Sequence, residues 1–461
     1  MTRDLPEEPE HQEPVAATSL WPAPFLGSRP VQASLTVPGS KSLTNRWLLL
    51  AAVADAPSRL RAPLRSRDTE LMAQALRELG ARVEDVPGHG DFGDDWLITP
   101  IPFEHLRTQA AAEDAAGTAT ERRIECGLAG TVMRFVPPIA AATGREVVID
   151  GDEQARVRPM GVTIDSLTRL GADITATGDS LPLTIHAGSA LRGGHLEIAA
   201  GASSQFVSGL LLAAPAMPLG LELRNTGQAV PSRPHIDMTL EVLADAGVDV
   251  SEPEDEHWVV EPGLPRGLDV VVEPDLSNAA AFLAAALVTG GEVTITGWPA
   301  HTTQAGDDFR RIAEAFGAAV DLDRHGLRVR GPHRLRPVDL DLSAVGELTP
   351  VVAAVAALAP GTSHLSGIGH LRGHETDRLA ALTRELTALG VGVDEEPAAL
   401  TITGARPGAG TWHTYHDHRM VMAGAVLALV AEGIVIENAG TVAKTLPEFT
   451  LLWEDMLGHG A

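Results

Sequence analysis

The stretch Leu243-Ala244-Asp245-Ala246-Gly247-Val248-Asp249-Val250 reads as the last turn of a helix, a glycine where the chain leaves it, and the start of a β-branched strand. A glycine just past a helix end accepts the left-handed backbone conformation that other residues resist, so Gly247 fits a C′ cap. The same pattern returns at Leu76, Gly80 and Val83; at Leu167, Gly171 and Ile174; at Ile312, Gly317 and Val320; and at Leu386, Gly390 and Val393. A sixth helix, over 449–457, runs into Gly458. A period of about seventy residues implies repeated βαβαββ units rather than a short-period solenoid. The fold class is α/β, in its α+β form.

A second, more apolar helix class lies between these, over 42–53, 131–142, 203–214, 277–288, 348–358 and 417–430, each opening on polar or charged residues. Six units result, each with one buried and one amphipathic helix. The sixth has no strand after Gly458, and the extended segment 33–37 is expected to supply it. One domain is then discontinuous. Residues 39–272 are expected to form a first three-unit domain, and 20–38 with 273–461 a second. The chain would cross between them near 37–41 and 271–274. Two lobes joined by two crossings make a clamp, and a cleft between domains is a common ligand site.

Bulk composition limits what such a clamp holds. The net charge of −26 argues against nucleic acid and against an anionic membrane surface as partners. The single Cys126 cannot form an internal disulfide and suits a reducing, cytoplasmic compartment. Residues 1–19, rich in Glu and Pro, read as a disordered tail. The longest apolar runs fall short of the ~20 residues a membrane span needs. With only 4% aromatic residues, the core must be built from Ala, Leu and Val.

The starts of the buried helices collect the chemistry. Val37-Pro38-Gly39-Ser40-Lys41-Ser42-Leu43-Thr44-Asn45-Arg46 is a strand end, a turn and a helix start with hydroxyls, an ammonium and a guanidinium. Such a start seats an anion; a Ser cap beside a surface Lys accounts for the same residues. It lacks the spacing of a nucleotide P-loop. The Gly-rich turn from Cys126 to Arg134 is either a backbone approach to an anion or a packing turn. Ser203, Ser204 and Gln205 open another helix, where capping explains one Ser but not the trio. Glu347, in an apolar helix start, needs partners or a proton-transfer role. Glu375 and Arg378, spaced i, i+3, admit a surface pair. His416 and His418 invite a metal reading, but i, i+2 histidines point apart on a helix and no Cys or carboxylate cluster is expected to complete a site, so no metal is expected.

Taken in order, VPGSKSLTNR (37–46), CGLAGTVMR (126–134), RVRPMG (156–161), ASSQF (202–206), HETDR (374–378), DHRM (417–420) and AKTLPEF (443–449) resemble the signature set of the 5-enolpyruvylshikimate-3-phosphate synthase family. The ordered set covers nearly the whole chain outside the tail. The resemblance implies the six-unit, two-domain enolpyruvyl transferase fold. It also implies transfer of the enolpyruvyl group of phosphoenolpyruvate to the 5-hydroxyl of shikimate 3-phosphate with release of phosphate, by a monomer needing neither metal nor organic cofactor. By motif match, Lys41, Ser42, Arg46, Ser203, Ser204, Gln205, Ser232, Glu347 and His374 would hold shikimate 3-phosphate. Lys41, Gly130, Arg158, Gln205, Arg378, Arg419 and Lys444 would hold phosphoenolpyruvate. Glu347 would take the hydroxyl proton, with Lys41, Glu375 and Lys444 as the other catalytic groups. The two substrates bring roughly six negative charges, which calls for Lys and Arg from both domains.

The sequence departs from the commonest pattern of that family. Glu347 stands where Asp is usual, His374 where Lys is usual, His370 and Leu128 where Asn is usual, and His235 where Tyr is usual. Phe135 follows Arg134 where many relatives have Pro. The sister transferase acting on UDP-N-acetylglucosamine uses a loop Cys, whereas Cys126 sits in the Gly-rich turn. A catalytically silent, metabolite-binding relative is the alternative of another class; the full set of basic groups with Glu347 argues against it.

Overall fold

The structure, a computed structural model, describes residues 19–118, 120–189 and 191–458. The expected tail, 1–19, lies outside the described residues except for Ser19, whose carbonyl accepts a hydrogen bond from the Asn438 N–H at 2.7 Å.

The glycine repeat is a repeated cap. Gly80, Gly171, Gly247, Gly317, Gly390 and Gly458 all have positive φ. In five of the units the next N–H reaches back to a carbonyl five residues earlier: Ala81 to Leu76, Ala172 to Leu167, Val248 to Leu243, Ala318 to Ala313 and Val391 to Leu386, at 2.9–3.0 Å. This is the hydrogen bond of a Schellman cap. In the fourth unit its acceptor is Ala313, one residue after the expected Ile312.

Five sheets have four strands and share one order: two parallel strands, then an antiparallel hairpin. Arg122–Glu125 runs parallel to Val147–Asp150, which pairs with Ser180–Ile185 and, through it, Ile174–Thr177. Gly194–Ile198 and Asp339–Asp341 lead the equivalent sheets of the third and fifth units. In the first and fourth units the leading strand comes from elsewhere. Asp269–Val271 runs parallel to Ser58–Arg61, so the end of the first lobe completes its own beginning. Gln32–Leu35 runs parallel to Glu292–Thr296 in the fourth unit. That corrects the expectation that 33–37 would close the sixth. The sixth sheet is closed instead by Leu20–Pro22, antiparallel to Ile434–Glu437 beside Gly410–Trp412. A parallel partner requires the direction in which 32–35 leads into the crossing, and only the leading position of a unit provides it.

The buried helices are Lys41–Ala52, Gly130–Thr143 and Ser204–Ala213 in one lobe, and Leu276–Thr289, Thr349–Leu358 and His418–Ala428 in the other. Residues 279–286 are wholly inaccessible, and the apolar side chains divide into two separate cores. The strands linking the lobes bond to each other: Ser40 N–H to the Glu273 carbonyl at 2.7 Å and Asp275 N–H to the Pro38 carbonyl at 2.8 Å. This double crossing delivers Lys41 and Asp275 to the same end of the cleft. No described helix is long and apolar enough to cross a membrane.

Candidate functional site

A cleft with a volume of about 150 Å³ lies between the lobes, lined by the starts of the buried helices. On the first wall, Ser40 caps the helix Lys41–Ala52 by accepting from the Leu43 N–H at 3.4 Å, so neither Ser42 nor Lys41 is spent on capping. Lys41 sits between carboxylates, its Nζ 3.2 Å from Asp68 Oδ2 and its N–H donating to Asp275 Oδ2 at 3.0 Å. One turn on, the buried Arg46 donates to Thr239 Oγ1 at 2.9 Å, to the Ser42 carbonyl at 3.0 Å and to the His235 carbonyl at 2.8 Å, and stacks 5.4 Å above Phe135. Burial pushes this guanidinium down to about 9.

Gly130 opens the next helix against two side-chain ends that a larger residue would displace: a Cβ there would lie 2.8 Å from Arg158 Nη2 and 2.8 Å from Gln205 Oε1. Arg158 donates to the Leu128 carbonyl at 3.0 Å. Arg134 donates to Gln205 Oε1 at 2.6 Å and is likewise pushed down to about 9 by burial. Ser203 spends its hydroxyl on the Gln205 N–H at 3.3 Å, which explains one Ser of the trio as a cap and leaves Ser204 buried at the cleft. Ser232, left-handed at φ 56°, donates its N–H across the cleft to the Ser343 carbonyl at 3.3 Å.

The second wall carries the carboxylates. Glu347, on the short turn Gly346–Leu348, accepts from Ser277 Oγ at 3.3 Å and lies 3.6 Å from His235 Nε2 of the opposite lobe. Burial pushes this carboxyl up, but His235 and the Arg419 guanidinium outweigh it and hold it below its ordinary value. His370 and His374 have ring centres 5.8 Å apart. Burial, with Arg378 and His370, holds His374 well below the usual histidine range. Arg378 grips Asp417 at 2.7 and 3.2 Å, and Arg419 donates to the Ser277 carbonyl at 2.8 Å. Glu375 lies 3.3 Å from His418 Nδ1 and 3.4 Å from Lys444 Nζ. Against the push of burial, His418, Lys444 and Lys41 keep it ionised, well below the usual carboxyl range.

The cleft thus gathers Lys41, Ser42, Arg46, Gly130, Arg158, Ser203, Ser204, Gln205, Ser232, Glu347, His374, Glu375, Arg378 and Arg419. Lys444 reaches it through Glu375, beside the lining residue Thr445. The local alternative of a Glu375 and Arg378 surface pair does not form: Arg378 is buried on Asp417, and Glu375 turns to His418 and Lys444. The histidine segment behaves differently from its reading too. Two carboxylates do converge on His418, with donor atoms of Glu375, Asp417 and His418 within 4.8 Å of one another. Their free valences face Arg378 and Lys444, so positive charge already occupies the place a cation would take. Asp68 and Asp275 were missed, and Arg134, though inside the quoted Gly-rich turn, was given no role. Asp275 carried a signal, an Asp immediately before an apolar helix, and Arg134 closed the motif 126–134, whereas Asp68 gave none.

The sequence matches the family described as EPSP synthase (3-phosphoshikimate 1-carboxyvinyltransferase) over residues 26–453. A 3-phosphoshikimate 1-carboxyvinyltransferase from Kocuria rhizophila is 52% identical over 445 residues, spanning 96% of this chain and 98% of that protein. An EPSP synthase structure from Acinetobacter baumannii superposes with a TM-score of 0.76 at 23% identity, covering 96% of this chain and 99% of the other. The enolpyruvyl transferase NikO from Streptomyces tendae superposes with a TM-score of 0.68 at 17% identity, covering 94% and 96%. The two structures speak for the fold, and the extent of the sequence match speaks for descent: the chain belongs to the EPSP synthase family.

Proposed function

We propose that this protein transfers the enolpyruvyl group of phosphoenolpyruvate to the 5-hydroxyl of shikimate 3-phosphate and releases inorganic phosphate, a step toward chorismate and the aromatic amino acids. The observation that carries this reading is the convergence of six basic side chains, Lys41, Arg46, Arg158, Arg378, Arg419 and Lys444, with the carboxylates Glu347 and Glu375 around one cleft in a chain of net charge −26. A globally acidic protein has little other use for such a concentration of buried positive charge than the binding of small polyanions.

Lys41, Ser42, Arg46, Ser203, Ser204, Gln205, Ser232 and His374 hold shikimate 3-phosphate, and Lys41, Gly130, Arg158, Gln205, Arg378, Arg419 and Lys444 hold phosphoenolpyruvate. Glu347, kept ionised by its neighbours, takes the 5-hydroxyl proton as that oxygen bonds to C2 of phosphoenolpyruvate. The Lys444 ammonium gives a proton to C3. In the second step Glu375 removes a proton from C3 as the C2–O bond to the phosphate breaks, restoring the double bond; Glu375 then returns that proton to Lys444, 3.4 Å away, and the proton held by Glu347 leaves with the phosphate. The guanidinium groups stabilise charge without reorganising, and the closed cleft excludes water. We place the lobe boundary at residues 39–272 against 20–38 with 273–461, and read the protein as a cytoplasmic monomer; the lone Cys126 thiol, pushed up to about 12 by burial, is no nucleophile.

Incubation with phosphoenolpyruvate and shikimate 3-phosphate should release phosphate, read by a colorimetric assay. No release, or release only with UDP-N-acetylglucosamine as acceptor, would overturn the assignment.

A further inference from the structure

Tyr415 and His416 are consecutive non-glycine residues in the left-handed region, at φ 52° and 57°, immediately before the helix that carries His418 and Arg419. Such a pair persists only when its surroundings hold it there. What holds it is a carboxylate that the proposed reaction does not use. Glu385, only 2% exposed in its side chain, accepts from the His413 N–H at 2.9 Å and from the Tyr415 hydroxyl. Arg384 donates to the same phenol oxygen at 3.2 Å, which leaves the hydroxyl hydrogen for Glu385. None of these residues lines the cleft. The turn they pin does reach it: the His416 carbonyl accepts from Lys444 Nζ at 2.5 Å, and the only other group bonded to that ammonium among the described residues is Glu375, at 3.4 Å.

We infer that Tyr415 and Glu385 are positioning residues for Lys444. Their hydrogen bond fixes the left-handed turn, and the turn aims the His416 carbonyl that holds the ammonium toward phosphoenolpyruvate. This rests on the reading of Lys444 as a substrate-binding group. A hydrogen bond lost behind the turn lets it relax toward ordinary backbone angles, swings the His416 carbonyl and loosens the ammonium. Binding at the other wall is untouched.

The test is Tyr415→Phe, which removes one oxygen and leaves the ring. The KM for phosphoenolpyruvate should rise about tenfold while that for shikimate 3-phosphate stays within about twofold. In a Lys444→Arg background the same change should have little further effect, because the group being positioned is altered. An unchanged KM for phosphoenolpyruvate, an equal rise in both constants, or full additivity with Lys444→Arg overturns the inference. A readout without turnover separates it from the proposed reaction. The chain has one tyrosine, so 3-fluorotyrosine labelling gives a single fluorine resonance, which should move on Lys444→Met. A resonance that does not move counts against the coupling, whereas a wild-type protein without phosphate release counts against the reaction.

Discussion

Two buried guanidinium groups, one in each wall of the cleft, are held in opposite ways. Among the described residues Arg46 in the first lobe is bonded only to neutral oxygens, of Thr239, Ser208, Ser42 and His235, and burial depresses it to about 9. Arg378 in the second lobe is as deeply placed, yet Asp417 grips it and outweighs burial, raising it above its ordinary value. At Arg46 the first wall therefore stores positive charge with no bonded counter-ion, unlike Lys41, which pairs with Asp68. At Arg378 the second wall carries its own, Asp417, which orients the guanidinium. A charge buried without a partner is costly until an anion arrives, so an arriving anion should change the energy of Arg46 more than that of Arg378.

The largest effect should follow from the residue at the crossing. Lys41→Met should lower kcat/KM by about a thousandfold or more, with the unfolding midpoint nearly unchanged, because the ammonium stands between the walls and, in the proposed reaction, acts in the transition state. Near-normal activity would remove Lys41 from the site. Next come the two guanidinium groups themselves. Asp417→Asn strands Arg378 and should cost about 3–5 kcal/mol in denaturant unfolding, whereas Arg46→Met removes an unpaired charge and should be neutral or stabilising while weakening shikimate 3-phosphate binding. If Arg46→Met destabilises as much as Asp417→Asn, the contrast between the walls is wrong.

A smaller effect comes from the imidazoles. Burial holds His235, His374 and His418 below their ordinary value of 6.5. For such groups the unfolded chain binds protons more readily than the folded one, so stability should fall as pH drops through about 6.5 and level off above it. Thermal melts between about pH 8 and 5 read this directly; a midpoint that rises on acidification would show that these histidines carry charge in the fold.

The repeat was legible in sequence because each unit must leave its amphipathic helix by the same backbone conformation, and glycine marks that exit at Gly80, Gly171, Gly247, Gly317 and Gly390. Lys41, Arg378 and Arg419 sit at helix starts, where residue order and position in the fold coincide, whereas Arg158, in a loop, and Lys444, at the end of a short turn, were legible only through the motif resemblance. Strand exchange was not. Nothing in residues 33–37 tells the fourth sheet from the sixth, since both offer a place for a short β-branched strand, and only the direction of the crossing decides. Partnership between distant charges was also hidden: Arg378 has Glu375 three residues away, yet bonds to Asp417, which lies thirty-nine residues on. Local spacing shows what two residues are able to reach, not which competitor is nearer in the folded chain.

The finest test concerns His374. It faces Arg378, His370 and Arg158 as well as Glu375, so cations and burial together keep its imidazole neutral. A neutral ring still donates one hydrogen bond, but it lacks the long-range attraction of an ammonium. His374→Ala should therefore raise the KM for shikimate 3-phosphate only about tenfold, or 1.4 kcal/mol, the scale of a single lost contact. The wild-type constant should stay level from about pH 6.5 to 8, since no titration of this ring falls there. A steep rise over that range would mean that the ring binds as a cation, a further unpaired charge like that of Arg46. An unchanged KM in His374→Ala would take the residue out of the substrate's reach and leave Arg46, with the hydroxyls around it, as the main hold on that substrate.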